Sequence, residues 1–180
     1  GATRGCCGAM GNTPSSCESR KGPYPPVTDS SRRTLVTGGA GFIGSHLVER
    51  LLKDGHQVTV LDNLATGRWS NLDNVKGHPR LHLQEADASD YGAIEPLFED
   101  VARVFHLAAL ADIVPSIDEP LTYHVANVDG TVAVLEAARA AGVERLVYAA
   151  SSSCYGIADQ IPTPETAPIN CMYPYALTKY

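Results

Sequence analysis

The sequence predicts an α/β fold in which a parallel, doubly wound sheet carries helices on both faces. One observation is that short, nearly continuous apolar runs alternate along the chain with longer segments whose apolar residues recur at helical spacing. Another is that a cluster of glycines follows the first apolar run and opens the first helical segment. Strands that are apolar along their whole length are buried on both faces, which is the situation of parallel strands between two layers of helix.

The first organised segment is expected to be a strand, a helix and a second strand. The first strand is Thr34–Thr37, and the helix is expected over Phe42–Lys53, with Gly55 as its stop. The apolar residues of this helix that recur at helical spacing are Phe42, Ile43, Leu47, Leu51 and Leu52. β-Branched residues then predict a second strand over Val58–Leu61.

The remaining elements continue the alternation. Further strands are expected at Leu81–Leu83, Val104–Leu107 and Arg145–Ala150. One long helix is expected over 121–141, ended by Gly142. The apolar residues that helical spacing places on one of its faces are Val125, Val128, Val132 and Leu135.

Composition excludes several classes of protein. With 180 residues, 44% of them hydrophobic and 19% charged, the chain has the material for one domain with a buried core and is unlike a disordered acidic protein. The net charge of −6 argues against a non-specific nucleic-acid binder, which carries a basic surface. No apolar run approaches the roughly 20 residues of a membrane span, so no membrane partner is expected. Because nothing in the spacing of Cys154 and Cys171 demands a disulfide, we expect a cytoplasmic location.

Residues 1–33 are expected to be a disordered tail. They are rich in Gly, Ser and Pro, show neither a helical nor a strand period, and contain no apolar segment of the length that a secretory signal needs. No His lies near the tail's cysteines and their spacing fits no zinc module, so no metal site is predicted at Cys6, Cys7 and Cys17. The run from Met10 to Ser15 matches a myristoylation pattern only if translation starts at Met10.

The glycines at positions 38, 41 and 44 have the spacing and setting of a dinucleotide-binding loop. Gly38 can make the tight turn after the strand, Gly41 can let the backbone approach a pyrophosphate, and Gly44 can let the helix pack closely on the strand. The free N–H groups at the helix N-terminus favour the phosphates. The alternative is a glycine-rich turn without a ligand. The strand before the cluster, the helix after it and an acid further on favour dinucleotide binding.

That acid is Asp62, at the end of the second strand. A carboxylate there can accept hydrogen bonds from both hydroxyls of the adenosine ribose and would repel a 2′-phosphate, which favours NAD over NADP. One alternative is an aspartate that caps a loop with Asn63. Arg68 is close enough in sequence to leave NADP open as well.

Residues at the ends of later strands are further candidates. Asp87, Ala108 and Ala109 lie at carboxyl ends of strands, where open sheets of this kind bind ligands. His106, inside the fourth strand, is expected to be a packed core histidine. Cys154 has no activating base near it in sequence and is expected to be a buried small residue.

Tyr175 and Lys179 are candidate catalytic residues. Four positions apart, they project from one face of a helix, and a lysine ammonium beside a phenol stabilises the phenolate, which makes Tyr175 a candidate general base and acid. The run Ser151–Ser153 follows the fifth strand, and a serine there could hydrogen-bond the same substrate oxygen. The alternative is a chance pair on a surface helix. The upstream glycine loop and the serine run favour catalysis.

Together these segments resemble the extended short-chain dehydrogenase/reductase superfamily, and within it the NAD-dependent nucleotide-sugar epimerases and dehydratases. The resemblance covers residues 34–180 and rests on TGGAGFIGSHLVERLL, VLDNL, VFHLAAL, NVDGT, SSSCYG and YALTK, which occur in the family's order and spacing. It implies a Rossmann-type sheet truncated before its last strands and an NAD cofactor that is regenerated in each catalytic cycle.

The resemblance also implies roles for individual residues. The cofactor contacts that it implies are Gly38, Gly41, Phe42, Ile43, Gly44, Asp62, Asn63, Asp87, Ala88, Leu107, Ala108, Ala109, Asn127, Tyr175 and Lys179. The catalytic residues that it implies are Ser151, Tyr175 and Lys179. The implied substrate contacts are Ser151, Ser152, Ser153 and Tyr175.

Two of the serines help to choose the reaction. In the family's dehydratases an Asp–Glu pair follows the catalytic threonine, and here Ser152 and Ser153 occupy those places. The chain therefore resembles most the 4-epimerases of UDP-hexoses or UDP-N-acetylhexosamines, in which Tyr175 would take the proton of the sugar O4 as hydride moves from C4 to NAD⁺. The alternatives are a related decarboxylase, dehydratase or reductase and, from a different class, a catalytically silent NAD(H)-binding protein. Retention of Ser151 together with Tyr175 and Lys179 argues against the silent protein.

The resemblance implies parts that these 180 residues do not include. In the family, the residues that recognise the hexose and the uridine lie largely in a carboxyl-terminal substrate domain. We therefore expect this chain to be an N-terminal fragment that is inactive alone and binds NAD weakly if at all. For the full-length protein, the resemblance implies a homodimer through two helices per subunit, one of them the helix that bears Tyr175 and Lys179.

Overall fold

The computed structural model describes residues 33–180, so the predictions for the tail, its cysteines and the pattern at Met10 lie outside the described residues. The described chain forms five strands and six α-helices. The strands β1 to β5 are Arg33–Thr37, Gln57–Asp62, Leu81–Glu85, Val101–His106 and Arg145–Tyr148. The helices α1 to α6 are Phe42–Lys53, Tyr91–Ile94, Ile113–Asp118, Pro120–His124, Gly130–Ala140 and Pro174–Lys179. Single 3-10 turns occupy Trp69–Leu72, Glu95–Phe98 and Ser152–Tyr155.

The five strands form one parallel sheet with the order β3-β2-β1-β4-β5. The first strand lies in the middle, where Val36 pairs with Val60 on one side and with Phe105 on the other. Because the strands are parallel, all their carboxyl ends meet at one edge of the sheet. The loops that follow β1, β2, β4 and β5 are therefore brought together there.

Helices cover both faces of the sheet, which confirms the predicted doubly wound α/β class. On one face, Val48 and Leu51 of α1 pack in a buried cluster with Val36. On the other face, Val134 of α5 packs in a second buried cluster with Leu35. Leu35 and Val36 are neighbours in β1 and both are completely buried, because successive strand residues point to opposite faces and each face has its own layer of helix.

Three strands differ from the predicted bounds by more than one residue. The strand β4 begins at Val101, three residues before the predicted start, because Val101 and Ala102 are buried and the part-buried Arg103 interrupts the apolar run without ending the strand. The strand β3 extends to Glu85, along an exposed sheet edge where polar side chains are tolerated. The strand β5 ends at Tyr148 rather than at Ala150. The predicted helix Phe42–Lys53 is confirmed as α1, and Gly55 follows it with a φ of +95°.

The long helix predicted over 121–141 is a continuous helical run with an unexpected interior. A π-helical segment, Val125–Asp129, separates α4 from α5. The predicted apolar face is not the buried one: Val132 is 59% exposed, whereas Ala133 and Ala137 pack toward the sheet. The buried residues Tyr123, Asn127, Val134 and Ala137 lie at helical spacing on one face, before, within and after the π-helical segment, so the face that packs inward is a different one from the valine face. Small alanines also let the helix approach the sheet more closely than valines would.

Within residues 33–180, no helix combines the length and the hydrophobicity that crossing a membrane requires. The same residues contain no group of three or more His, Cys, Asp or Glu side chains that could hold a metal ion.

Candidate cofactor and catalytic site

The glycine cluster forms the turn between β1 and α1 at the carboxyl edge of the sheet. Gly38 has a φ of +69°, and a Cβ built on it would lie 2.7 Å from the backbone nitrogen of Ala108. A Cβ on Gly44 would overlap the carbonyl oxygen of Gly38. Both positions therefore exclude any side chain, which holds the loop close to β4 and α1 close to the loop. Phe42 and Ile43, at the start of α1, are exposed.

A cleft runs along the carboxyl edge of the sheet from this turn. It has room for a ligand beside the loop and is floored by the residues that follow β4. The predicted cofactor residues that line it are Gly38, Gly41, Asp62, Asn63, Asp87, Ala88, Leu107, Ala108 and Ala109. The structure thus brings together residues from four separate segments of the sequence. The predicted cofactor contacts that are not part of this lining are Phe42, Ile43, Gly44, Asn127, Tyr175 and Lys179.

Asp62 is buried under the cleft and is tied to the glycine loop. Its Oδ2 accepts the backbone N–H of Ala40 at 2.9 Å, and its Oδ1 accepts that of Leu64 at 2.8 Å. The bond to Leu64 shows that Asp62 does cap the loop after β2, which was the alternative interpretation. Each carboxylate oxygen keeps a second acceptor site, so the capping role and a ribose contact are compatible.

Asn63 and Asp87 form the far end of the cleft. The Asn63 Nδ2 donates to Asp87 Oδ2 at 2.9 Å, and the backbone N–H and hydroxyl of Ser89 donate to Asp87 Oδ1 at 2.9 and 2.7 Å. Partial burial by itself raises the pKa of Asp87, but these hydrogen bonds outweigh it and hold the pKa below its usual range. Asp87 is therefore a charged acceptor at neutral pH.

Ala40, in the glycine loop, is also held from its other side. Its carbonyl oxygen accepts the Nδ2 of Asn71 at 2.7 Å and the backbone N–H of Arg68 at 3.0 Å. Gly67 lies against Asp62, because a Cβ on Gly67 would be 2.8 Å from Oδ1 and 2.9 Å from Oδ2. Asn71 and Gly67 have no signature in the sequence and were not predicted, since only the fold brings their segment to the glycine loop.

Asn127 lies behind the cleft, inside the π-helical segment, and is 1% exposed. Its Oδ1 accepts the backbone N–H of Leu110 at 2.8 Å, and its Nδ2 donates to Leu110 O at 3.0 Å and to Thr178 Oγ1 at 2.9 Å. Both amide hydrogens are thus used within the protein. The side chain joins Leu110, which lines the cleft, to Thr178 of α6.

Tyr175 and Lys179 lie on α6, which packs against the end of the sheet. Lys179 is 5% exposed, and its Nζ lies 4.3 Å from the centroid of the Tyr148 ring. Burial lowers the pKa of Lys179 to about 8. Tyr148 was not predicted as a site residue, because a tyrosine in an apolar strand gives no sign that a charge will lie over its ring.

His106 is a packed core residue, as predicted, and lies beside Tyr148 with 5.7 Å between the ring centroids. Its Nδ1 is 2.7 Å from Thr37 Oγ1 and its Nε2 is 3.0 Å from Thr131 Oγ1. Because Thr131 donates its own hydrogen to Asn127 O, it accepts from His106 Nε2–H, and Thr37 donates to Nδ1. Burial is the larger of two causes that lower the pKa of His106 to about 4, and the charge of Lys179 is the smaller. The ring is therefore neutral at pH 7.

The serine run forms a 3-10 turn directly after β5. Ser151 caps it: the Ser151 Oγ accepts the Ser153 N–H at 3.2 Å and shares a hydrogen bond with the Ser153 Oγ at 2.6 Å. Ser152 is exposed. The turn contacts α6 through Cys154, whose Sγ is 3.6 Å from Ala176 O. Cys154 is buried, as predicted, and burial raises the pKa of its thiol, which makes it a poor nucleophile.

Comparison with known proteins agrees with this architecture. Residues 34–180 match the family described as NAD dependent epimerase/dehydratase. The UDP-glucose 4-epimerase of Mycolicibacterium smegmatis is 46% identical over 149 residues, which are 82% of this chain and 48% of that protein. The chain thus spans about half the length of the curated relatives it matches.

Two solved structures show the same fold with bound ligands. A UDP-glucose 4-epimerase from Brucella ovis in complex with NAD is 32% identical, with a TM-score of 0.76 over 83% of this chain and 45% of that one. A UDP-glucose 4-epimerase from Thermotoga maritima with UDP-glucose is 36% identical, with a TM-score of 0.77 over 82% of this chain and 48% of that one. The family match includes all five strands apart from Arg33, the first residue of β1. The glycine loop with its cleft and the helix with Tyr175 and Lys179 both lie within the matched residues. The chain therefore belongs to the NAD-dependent epimerase/dehydratase family.

Proposed function

We propose that the full-length protein is an NAD-dependent 4-epimerase of a UDP-hexose or its N-acetyl form, and that residues 34–180 are its cofactor-binding and acid–base part. The observation that carries the proposal is that the glycine loop and the Ser151 turn both follow parallel strands at the carboxyl edge of the sheet, and that Cys154 of the Ser151 turn contacts the helix with Tyr175 and Lys179. A protein that only binds NAD needs the first of these and not the other two.

The cleft fits a dinucleotide. Gly38 and Gly44 leave no space for side chains beside the turn, and α1 begins there with a free N-terminus that favours phosphate. Further along the cleft, Asp62 would accept from the hydroxyls of the adenosine ribose, and Asp87 would contact the adenine side of the cofactor. When bound, NAD would supply a hydride acceptor and donor for C4 of the sugar.

Tyr175 would hold and move the proton of the sugar O4. Lys179 lies one helical turn from Tyr175 on α6, and Ser151 would hydrogen-bond the same sugar oxygen. The hydroxyls of Ser152 and Ser153 stand where a dehydratase needs an acid and a base for the elimination of water, and hydroxyls cannot readily do that work. The relatives that carry UDP-sugar names support a UDP-sugar as substrate.

A homodimer is part of the proposal. Apolar side chains remain exposed on the outer faces of the α4–α5 run and of α6, among them Leu121 at 81% and Leu177 at 66%. An exposed apolar surface of two adjacent helices is typical of an interface. We propose that a second copy covers these two helices.

Epimerisation of UDP-galactose by the full-length protein tests the proposal. Incubation should yield UDP-glucose, detected by chromatography or NMR, and Tyr175→Phe should lose most of the turnover while NAD binding stays near the wild-type level. Near-normal turnover in Tyr175→Phe would contradict the assigned role. Bound NAD with no reaction of UDP-galactose, UDP-N-acetylgalactosamine or any other nucleotide sugar would favour a non-catalytic NAD(H)-binding protein instead.

A further inference from the structure

Ser116, in α3, is completely buried, and its hydroxyl connects α3 to the helix that bears Tyr175. Its Oγ lies 2.6 Å from Ile113 O and 3.1 Å from the backbone nitrogen of Tyr175. The single hydroxyl hydrogen is used in the shorter bond, which lies within α3. The oxygen therefore faces Tyr175 as an acceptor, and it receives the Tyr175 N–H.

The helix α6 has no cap of its own at this end. The residue before it, Tyr173, has an extended backbone and makes no side-chain cap hydrogen bond, and the first helical residue is Pro174, which has no N–H. Tyr175 thus carries the first backbone donor of the helix. With only six residues, α6 has little internal stability, so its first turn depends on contacts from outside the helix.

The other polar anchors of α6 act on later residues. Asn127 donates to Thr178, the thiol of Cys154 contacts Ala176 O, and Lys179 lies over the ring of Tyr148. Among the described residues, Ser116 provides the hydrogen bond from outside α6 to the backbone of Tyr175 itself. Ser116 and Tyr175 are 59 residues apart in sequence.

We propose that Ser116 is a positioning residue for Tyr175: its hydroxyl oxygen caps α6 from α3 and so fixes where the phenol stands relative to the cleft. The inference rests on the proposed function for its catalytic consequence, but not for the hydrogen bond itself. Ser116 touches neither cofactor nor substrate in this account. Its loss should therefore change the rate of the proton transfer rather than the binding of either ligand.

The catalytic test compares Ser116→Ala with Ser116→Thr in the full-length protein. In Ser116→Ala, kcat for UDP-galactose should fall roughly 10- to 100-fold, the effect of a misplaced reacting group, while KM for UDP-galactose and Kd for NAD change less than about twofold. Ser116→Thr keeps the hydroxyl oxygen and should recover most of kcat. If Ser116→Ala does not fold, Ser116→Cys replaces it, because a thiol fills the site but accepts hydrogen bonds only weakly, and its kcat should lie below that of Ser116→Thr.

Amide hydrogen exchange gives a second measurement that does not depend on turnover. The Tyr175 amide should exchange at least about tenfold faster in Ser116→Ala than in the wild type. Ser45→Ala is the matched control for this measurement, because Ser45 is also a buried helical serine whose hydroxyl donates to the carbonyl three residues earlier, at 3.0 Å, but it has no bond to α6. Tyr175 exchange in Ser45→Ala should equal that of the wild type.

Two sets of results would overturn the proposal. One is a Ser116→Ala protein with kcat within about twofold of wild type and unchanged Tyr175 exchange; the other is a loss of activity that comes entirely from KM or from NAD affinity. If the wild-type protein epimerises no nucleotide sugar, the proposed function fails. The exchange measurement then decides alone whether Ser116 holds Tyr175.

Discussion

The ammonium nitrogen of Lys179 lies 4.3 Å from the centroid of the Tyr148 ring, inside the protein and at the end of the sheet. Within residues 33–180, no carboxylate lies within ion-pair distance of it. A π face offsets part of the cost of burying a cation, but less of it than a paired carboxylate does. The protein thus keeps a lysine in an environment that favours its neutral form, four residues from Tyr175.

Lys179→Met should therefore stabilise the fold at neutral pH. The pKa of Lys179 is about 8 in the folded protein and 10.5 when unperturbed, so the penalty for the charged form is fully present below about pH 8 and disappears as the pH rises to 10.5. The gain from Lys179→Met should approach about 3 kcal/mol at pH 7 and be much smaller near pH 10.5. Urea unfolding at the two pH values measures it. Destabilisation at pH 7 would mean that the charge stabilises the fold, contrary to this prediction.

Acid should destabilise the protein through His106. The pKa of this buried ring is about 4 in the folded protein against 6.5 when unperturbed, so the unfolded state binds more protons between these values. Stability should fall as the pH drops from 6.5 to 4, by up to about 3 kcal/mol from this residue. In His106→Gln, the free energy of unfolding should fall less between pH 6.5 and pH 4 than it does in the wild type. His82→Gln, which changes an exposed histidine of β3, should leave the pH dependence of the free energy of unfolding as it is in the wild type.

Gly44→Ala should abolish NAD binding or prevent folding, because the new Cβ would overlap the Gly38 carbonyl oxygen and push α1 away from the loop. Gly92→Ala in α2 is the matched control. The nearest atom to its new Cβ is 3.6 Å away, and an alanine in a helix is tolerated or slightly stabilising. Calorimetric titration with NAD compares the two variants. Wild-type affinity in Gly44→Ala would show that the close packing of helix and loop is not needed.

Asp62→Ala should weaken NAD binding and reduce discrimination against NADP. The carboxylate would repel a 2′-phosphate, and it also holds the N–H of Ala40 in the glycine loop. Its loss should lower NAD affinity more than NADP affinity, so the ratio of the two dissociation constants is the measurement. An unchanged ratio would place the ribose contact on another residue, with Asn63 and Asp87 as the nearest acceptors in the cleft.

Local patterns in the sequence predicted most of the fold and the cleft. The glycine loop and the apolar strands depend on residues close together in the chain, and the structure has all of them, although β3, β4 and β5 differ from the predicted bounds by two or three residues. The apolar face predicted for the long helix is not the one that packs on the sheet, because the small Ala133 and Ala137 approach the sheet more closely than Val132 could.

The residues that sequence analysis missed act across long separations. Ser116 and Tyr175 are 59 positions apart, and Tyr148 contacts Lys179 from a different element. A serine in a short helix and a tyrosine in an apolar strand have no local signature, since their partners are chosen by the packing of α3 and β5 against α6. Only the tertiary structure shows these contacts.

The fate of the hydrogen at C4 distinguishes transient oxidation of the sugar by bound NAD from any other route to the epimer. UDP-galactose deuterated at C4 should be converted by the full-length protein to UDP-glucose that keeps the deuterium at C4, because the hydride leaves and returns within one site while Tyr175 handles only the proton of O4. Mass spectrometry and proton NMR of the product measure the label. Retention without exchange into water or added NAD is the predicted result; loss of the deuterium, or no epimer from either UDP-galactose or UDP-N-acetylgalactosamine, would rule out transient oxidation at C4.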